Sequence, residues 1–164
     1  MGIYGKDVRN AVLRMKHHSQ ESLAIALGRR LGGRVASQPF SETPDLIAPI
    51  PMHWVSRLLR GTSAAQTLAQ SAATVLGIPC ADDLLHCRRM LRRQASLPAG
   101  ERLLNVRGAF GISRGFDIRG LRILLVDDVV TTGATCDSAA RALRRAGAER
   151  VFVLAVARGT GVSS

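Results

Sequence analysis

The sequence lacks the features that mark disulfide-rich, secreted and membrane-spanning proteins. Its three cysteines, Cys80, Cys87 and Cys136, are too few and too scattered among 164 residues for a disulfide framework or a zinc ribbon. No apolar run is long enough to cross a bilayer. The first ten residues, MGIYGKDVRN, lack the apolar middle of a secretory signal. We therefore expect a cytoplasmic protein with no membrane insertion.

Lysine and aromatic residues are also scarce. Lys6 and Lys16 are the only lysines, so arginine carries most of the net charge of +11, and eight arginines stand against two acids between His86 and Arg119. This arginine-rich stretch fits a solvated face, a cover over a polyanionic substrate or a nucleic-acid surface, and the sequence leaves all three open. One tryptophan and one tyrosine offer few stacking surfaces, which counts against sequence-tolerant binding of single strands.

Apolar periodicity predicts one domain, residues 1–164, in which helices and strands follow each other through short links. Helical spacing is found over 6–16, about 20–31, 65–76 and 139–146. Gly32 and Gly33 are predicted to end the second helix. Strands are predicted over 46–51, 109–112, 121–126 and 151–156. This order predicts an α/β fold with a parallel sheet covered by helices on both faces. Residues 82–107 keep no sustained period and are predicted to form an exposed excursion.

The stretch from Ile123 to Thr135 carries the chemistry. An apolar strand delivers Asp127 and Asp128 at its C-terminal end, where open α/β sheets bind ligands. The loop that leads into the next helix contains only small or hydroxylated residues: Thr131, Thr132, Gly133, Ala134 and Thr135. N–H groups at a helix start, together with threonine hydroxyls, can bind a phosphate dianion without lysine. Two carboxylates would repel a bare phosphate, but they can accept hydrogen bonds from hydroxyl groups one sugar away. The pattern therefore predicts a phosphorylated sugar.

Other interpretations explain less of this stretch. A strand end and a helix cap account for its polar residues one at a time, not for their combination. A dinucleotide site is disfavoured because no G-x-G-x-x-G follows the first strand, and a P-loop because no G-K-[ST] ending occurs.

The stretch resembles the phosphoribosyl pyrophosphate signature of type I phosphoribosyltransferases. Nearly the whole chain resembles one bacterial branch of them, the ComF family, which is linked to competence and DNA uptake. The further marks of this resemblance are Lys16, the turn 49–54, Arg60-Gly61, Gln94, Arg102, Asn105 and Ala109-Phe110. The paired cysteines of the ComF zinc ribbon do not occur in the chain, and the segment 60–64 reads RGTSA where the branch favours RGFNQ.

The resemblance implies a role for each matching residue on a parallel-sheet type I phosphoribosyltransferase fold with a small hood at about 82–107. Asp127 and Asp128 would bind the ribose hydroxyls, and Thr131, Thr132, Gly133, Ala134 and Thr135 the 5-phosphate. The pyrophosphate side would comprise Lys16, Pro51, Met52, His53 and Arg60. The hood would include Arg88, Arg89, Gln94, Arg102 and Asn105. Mg²⁺ would be held through the substrate pyrophosphate and ribose rather than directly by the protein.

Two functions follow from the resemblance. The first is an enzyme that binds phosphoribosyl pyrophosphate with Mg²⁺ and transfers the phosphoribosyl group to an acceptor, releasing pyrophosphate. The second is a non-catalytic protein that binds a phosphoribosyl compound or a nucleotide. It would act in DNA uptake through single-stranded DNA or a protein of the competence machinery.

Overall fold

The computed structural model describes residues 2–3, 21–37, 42–51, 63–89 and 105–159. The helices are α1 (Glu21–Ser37), α2 (Ala64–Leu76) and α3 (Ala134–Arg145). The strands are β1 (Gly2–Ile3), β2 (Leu46–Pro49), β3 (Leu85–Cys87), β4 (Phe110–Ile112), β5 (Arg122–Val130) and β6 (Arg150–Arg158). The helix predicted over 6–16 lies outside the described residues. Among the described helices, none has the length and apolar character needed to cross a membrane.

The strands form two sheets within the described part of the chain. The larger sheet has the order β1-β6-β5-β2, and its neighbouring strands run parallel. The smaller one pairs β3 with β4 antiparallel. The predicted parallel sheet with helices on both faces is confirmed, because α1 and α2 pack on one face of the larger sheet and α3 packs on the other.

Strand β5 is the centre of the core. Ile123 and Leu125 face α3 and the smaller sheet, whereas Leu124 and Val126 face α1 and α2. All four side chains are fully buried. A strand that is covered on both faces has no solvent side, which explains why its sequence is continuously apolar rather than alternating.

Helix α1 continues through the glycine pair that was predicted to end it. It ends at Ser37, and Gly32 is buried inside it. A Cβ atom at Gly28 would lie 2.7 Å from the carbonyl oxygen of Leu68, and one at Gly32 would lie 3.0 Å from that of Ala72. The prediction was wrong because Gly28 and Gly32 let α1 approach the backbone of α2, and this packing outweighs the low helix propensity of glycine.

Candidate functional site

The acid pair lies at the C-terminal edge of the larger sheet, within β5 rather than after it. Strand β5 runs to Val130, longer than predicted, because β6 accompanies it beyond the acids and pairs Asp127 with Ala155 and Val129 with Ala157. Strand β2 ends earlier, with Pro49 opposite Val126. Asp127 and Asp128 therefore lie past the end of β2, at the edge where parallel sheets bind ligands.

The regular alternation of β5 breaks at the acid pair. Val129 packs with the core on the α1 and α2 side, and Val130 packs with the core on the α3 side, which is the reverse of the order before the pair. The register with β6 continues unchanged. The two acids therefore cannot be assigned to opposite faces by counting residues along the strand.

Both carboxylates are oriented by the backbone. The N–H of Asp128 donates to Oδ1 of Asp127 at 2.8 Å, and the N–H of Val129 donates to Oδ1 of Asp128 at 2.8 Å. Both side chains are partly buried. These bonds hold one oxygen of each carboxylate and so define the direction of the other.

Cys136, on the first turn of α3, approaches the acid pair from the core. Its Sγ lies 3.8 Å from Oδ2 of Asp127. Burial and, after it, the negative charge of Asp127 raise the pKa of the Cys136 thiol to about 12. The group is therefore a neutral thiol at physiological pH and is not activated as a nucleophile. Burial also raises the pKa of Cys80 to about 12 and raises the pKa of Cys87.

The loop after β5 has the geometry of an anion site. Gly133 adopts a positive φ of 80° directly before α3, and as the N-cap residue it has no side chain to cap the helix. Thr131 and Thr132 are exposed, and the N–H of Ala134 lies 3.4 Å from Oγ1 of Thr132. The N–H groups of a helix start point toward the loop before it, and the helix dipole favours an anion there.

The described hood residues divide into two kinds. The Arg89 guanidinium group donates to the carbonyl oxygens of Asn105 and Arg107, so this arginine is bound to the protein's own backbone. Arg88 lies with His86 over Gly111 on the smaller sheet, where a Cβ atom would be 2.5 Å from its Nε. Adjacent arginines in the sequence therefore have different surroundings.

Of the remaining predicted site residues, only Pro51 is among those that the structure describes. Pro51 follows β2, partly buried, at the same edge of the sheet as the acid pair. Lys16, Met52, His53, Arg60, Gln94 and Arg102 lie outside the described residues. Sequence reasoning missed the contacts of Cys136 with Asp127 and of Arg89 with Asn105, and no local pattern signals either of them.

The parallel α/β sheet thus carries an acid pair and a hydroxyl-glycine loop before a helix, in the order that the sequence signature predicts. The model of the phosphoribosyl transferase domain family matches residues 62–161, and the chain belongs to this family.

Among curated proteins, the chain is similar to competence protein F of Haemophilus influenzae, with 32% identity over 118 residues covering 70% of this chain and 51% of that protein. It is also similar to the DNA utilization protein YhgH of Salmonella typhimurium, with 32% identity over 154 residues covering 90% of this chain and 65% of that protein. The resemblance to the ComF branch is thereby confirmed. The chain spans about half to two thirds of the length of these relatives.

Solved structures agree on the fold. The glutamine phosphoribosylpyrophosphate amidotransferase of B. subtilis superposes with a TM-score of 0.53 at 25% identity, covering 80% of this chain and 26% of that chain. A purine phosphoribosyltransferase of Pyrococcus horikoshii superposes with a TM-score of 0.52 at 18% identity, covering 90% of this chain and 79% of that chain. The type I phosphoribosyltransferase fold is therefore the fold of this protein.

Proposed function

We propose that the protein binds phosphoribosyl pyrophosphate with Mg²⁺ and transfers the phosphoribosyl group to an acceptor nucleophile, releasing pyrophosphate. The observation that carries the proposal is the position of the acid pair. Asp127 and Asp128 lie past the end of β2, and residues 129–133 separate them from the start of α3. Carboxylates and an anion site are thus joined by one short loop.

The 5-phosphate fits the loop of Thr131 to Thr135. Gly133 has no Cβ atom, and its positive φ would strain any other residue, so the backbone is both unobstructed and correctly turned there. The N–H groups of the first turn and the threonine hydroxyls supply donors. No lysine is required, in keeping with the scarcity of lysine in the chain.

The ribose fits the acid pair. Hydroxyl groups at the 2 and 3 positions are neutral donors, and carboxylates are acceptors, so a hydrogen bond between them is assisted by charge. The backbone N–H bonds to Asp127 and Asp128 hold the acceptors in place before the ligand arrives. Such preorganisation reduces the entropy lost on binding.

Magnesium fits this end of the sheet through the ligand. Mg²⁺ prefers oxygen ligands and keeps few protein ligands when substrate phosphates are present. The carboxylate pair would bind a ribose whose hydroxyl groups coordinate the ion. When bound, the ion would neutralise charge on the departing pyrophosphate.

In the transfer, the acceptor forms a bond to the anomeric carbon of ribose while the bond from that carbon to pyrophosphate breaks. Pyrophosphate leaves with the electron pair. Positive charge grows on the sugar, so the protein's task is to fix the ribose, neutralise the leaving group and exclude water. No protein nucleophile takes part, and the neutral thiol of Cys136 is consistent with this.

The residues proposed for the pyrophosphate side are Lys16, Pro51, Met52, His53 and Arg60. Pro51 supports this assignment, because β2 runs parallel to β5 and delivers it to the edge that carries the acid pair. Cations from Lys16 and Arg60 would complement the pyrophosphate charge.

A second candidate function is favoured by the names of the curated relatives. One is called competence protein F, and the other is called a DNA utilization protein. In this alternative the protein binds a phosphoribosyl compound or a nucleotide without turnover. It then acts in DNA uptake through single-stranded DNA or a partner protein. Pyrophosphate release with candidate acceptors separates the two functions.

The primary test is ligand linkage. A ligand that binds only the folded state, present at one hundred times its dissociation constant, stabilises the protein by about 2.7 kcal/mol. We expect the melting temperature to rise with phosphoribosyl pyrophosphate and Mg²⁺, and to rise less with ribose 5-phosphate and least with ribose. A folded sample that shows no shift at millimolar ligand refutes the proposal.

A further inference from the structure

Two side chains from elsewhere in the fold hold residues 105–107, where a helical end runs into a turn; we call this segment the turn 105–107. Nη2 of Arg89, which follows β3, donates to the carbonyl oxygen of Asn105 at 3.0 Å and to that of Arg107 at 3.2 Å. The hydroxyl group of Ser138, on α3, donates to the carbonyl oxygen of Val106 between them. Three successive carbonyl groups therefore each accept a hydrogen bond from a side chain distant in sequence.

The turn is also packed into the core. Val106 is fully buried, and so is Ala109 just beyond it. The N–H of Ala109 donates to the carbonyl oxygen of Val106, and the N–H of Arg88 donates to that of Ala109. The end of β3 and the turn are thus joined by backbone bonds, and the Arg89 side chain adds two more bonds at the same place.

Ser138 connects this turn to the helix that begins at the proposed phosphate loop. It lies four residues after Ala134, the first residue of α3, or about 6 Å along the helix axis. Gly133 supplies no side-chain cap, and beside the bond of the Ala134 N–H to Oγ1 of Thr132 the start of α3 is held by contacts with the rest of the fold. The bond from Ser138 to Val106 is such a contact.

We propose that Arg89 is a positioning residue of the sugar-phosphate site, acting through the turn 105–107 and Ser138 on the start of α3. The inference depends on the proposed function only for the identity of the ligand. It gives Arg89 a role other than a phosphate contact, since Nη2 of its guanidinium group binds two backbone carbonyls. Loosening the turn would let the first turns of α3 move, and the N–H groups would no longer converge on one phosphate.

The binding test is a calorimetric titration of the full chain with ribose 5-phosphate, at a temperature where circular dichroism shows every variant folded. We expect Arg89→Ala and Ser138→Ala each to weaken binding by about tenfold, the scale of one charge-assisted hydrogen bond. Arg89→Lys should recover part of the loss, because an ammonium group can still reach one carbonyl. In the double variant, the loss of affinity should be smaller than the product of the two single losses, because both side chains act through one turn.

The matched control is Arg114→Ala. Arg114 is exposed just after β4, and its removal changes the net charge equally. The affinity of Arg114→Ala for ribose 5-phosphate should equal that of the wild type. If Arg89→Ala binds as tightly as the wild type, or if Arg114→Ala loses as much, the positioning role is refuted.

Hydrogen exchange without ligand supplies a readout that does not need the proposed function. In Arg89→Ala, exchange should quicken at the amides of 105–109 and also at those of 134–138, while Arg114→Ala leaves both unchanged. If the exchange rate rises only at the amides of 105–109, Arg89 is a local structural residue and the inference is overturned. If the wild type does not bind ribose 5-phosphate, the proposed function fails, and exchange at 134–138 still decides the role of Arg89.

Discussion

The two ends of β5 place charge in opposite ways. At its first residue, the Arg122 guanidinium group donates to both oxygens of Asp45, at 2.9 and 2.6 Å, and the Arg122 N–H donates to the same carboxylate. Toward its other end, two carboxylates of like charge, Asp127 and Asp128, follow each other along the chain. One strand thus begins with a matched ion pair and carries a pair of acids at the opposite edge of the sheet.

This difference separates stability from binding. The pair of Asp45 and Arg122 joins segments that are far apart in sequence, so it forms only when the chain folds. Two adjacent carboxylates repel each other and do not stabilise the folded state through their charge. Their arrangement becomes favourable when a ligand supplies hydroxyl donors or a cation. The N-terminal edge is accordingly expected to govern folding, and the C-terminal edge to govern ligand affinity.

The largest expected effect comes from removing one acid. Asp128→Ala should weaken the binding of phosphoribosyl pyrophosphate by about one to two decades, since a hydrogen bond to a charged group contributes roughly 1.5–3 kcal/mol. Calorimetric titration measures the change, and the fold should stay intact by circular dichroism. Asp117→Ala is the control, because it removes the same charge from an exposed pair with Arg119. Should Asp128→Ala unfold while the folded fraction binds normally, the carboxylate is structural and the two edges do not differ in role.

The opposite edge should give the complementary result. Hydrogen bonds from Arg122 hold the pKa of Asp45 at about 2, below its ordinary value of 3.8. A carboxyl group whose pKa is lowered by folding stabilises the folded state above its unfolded pKa, and this contribution is lost as the pH falls from about 4 toward 2. Asp45→Asn should therefore melt at a lower temperature at neutral pH and lose less stability over that acid range, with ligand affinity unchanged.

Asp117→Asn provides the matched comparison for this pH dependence. Hydrogen bonds from Arg119 likewise hold the pKa of Asp117 at about 2. These residues are two positions apart and well exposed, so the same pair can form in the unfolded chain, and its effect on folding is small. Equal pH profiles for the two variants would contradict the argument that long-range pairing gives Asp45 its importance.

The candidate site was predictable where it is continuous in sequence. The apolar strand, the acid pair and the hydroxyl-glycine loop follow one another over thirteen residues, so their order alone indicated a phosphate next to sugar hydroxyls. The core positions of β5 followed from its unbroken apolar run. The end of α2 was also predictable, because Gly77 adopts the left-handed conformation that ends many helices.

Features that depend on distant segments were not predictable. Gly32 failed to end α1 because its neighbour in space is Ala72, forty residues away. The extension of β5 past the acids depends on β6, and the break in alternation there has no local signal. Arg88 and Arg89 are adjacent residues of the same type, so the sequence does not distinguish them. In the structure, Arg89 is bonded to the carbonyl groups of Asn105 and Arg107, whereas Arg88 is not bonded to these groups.

The smallest expected effect concerns Arg88 and Arg89. It distinguishes a hood over the substrate from a nucleic-acid surface. Each contact with a single-strand phosphate contributes about −0.7 to the slope of log affinity against log salt. A nucleic-acid surface at Arg88 would therefore lose about 0.7 of slope in Arg88→Ala, whereas Arg89→Ala would keep the slope of the wild type.

We expect no change of slope in either variant. Nε of Arg88 lies close to Gly111 beside His86, and Arg89 is bonded to the turn 105–107. If Arg88 belongs to a hood, Arg88→Ala should lower turnover more than ground-state binding, because closure over the substrate contributes most at the transition state. Filter binding to a single-stranded oligonucleotide over a series of salt concentrations measures the slope, and pyrophosphate release measures turnover. A flattened slope with unchanged turnover would assign Arg88 to nucleic acid and would favour the binding protein over the enzyme.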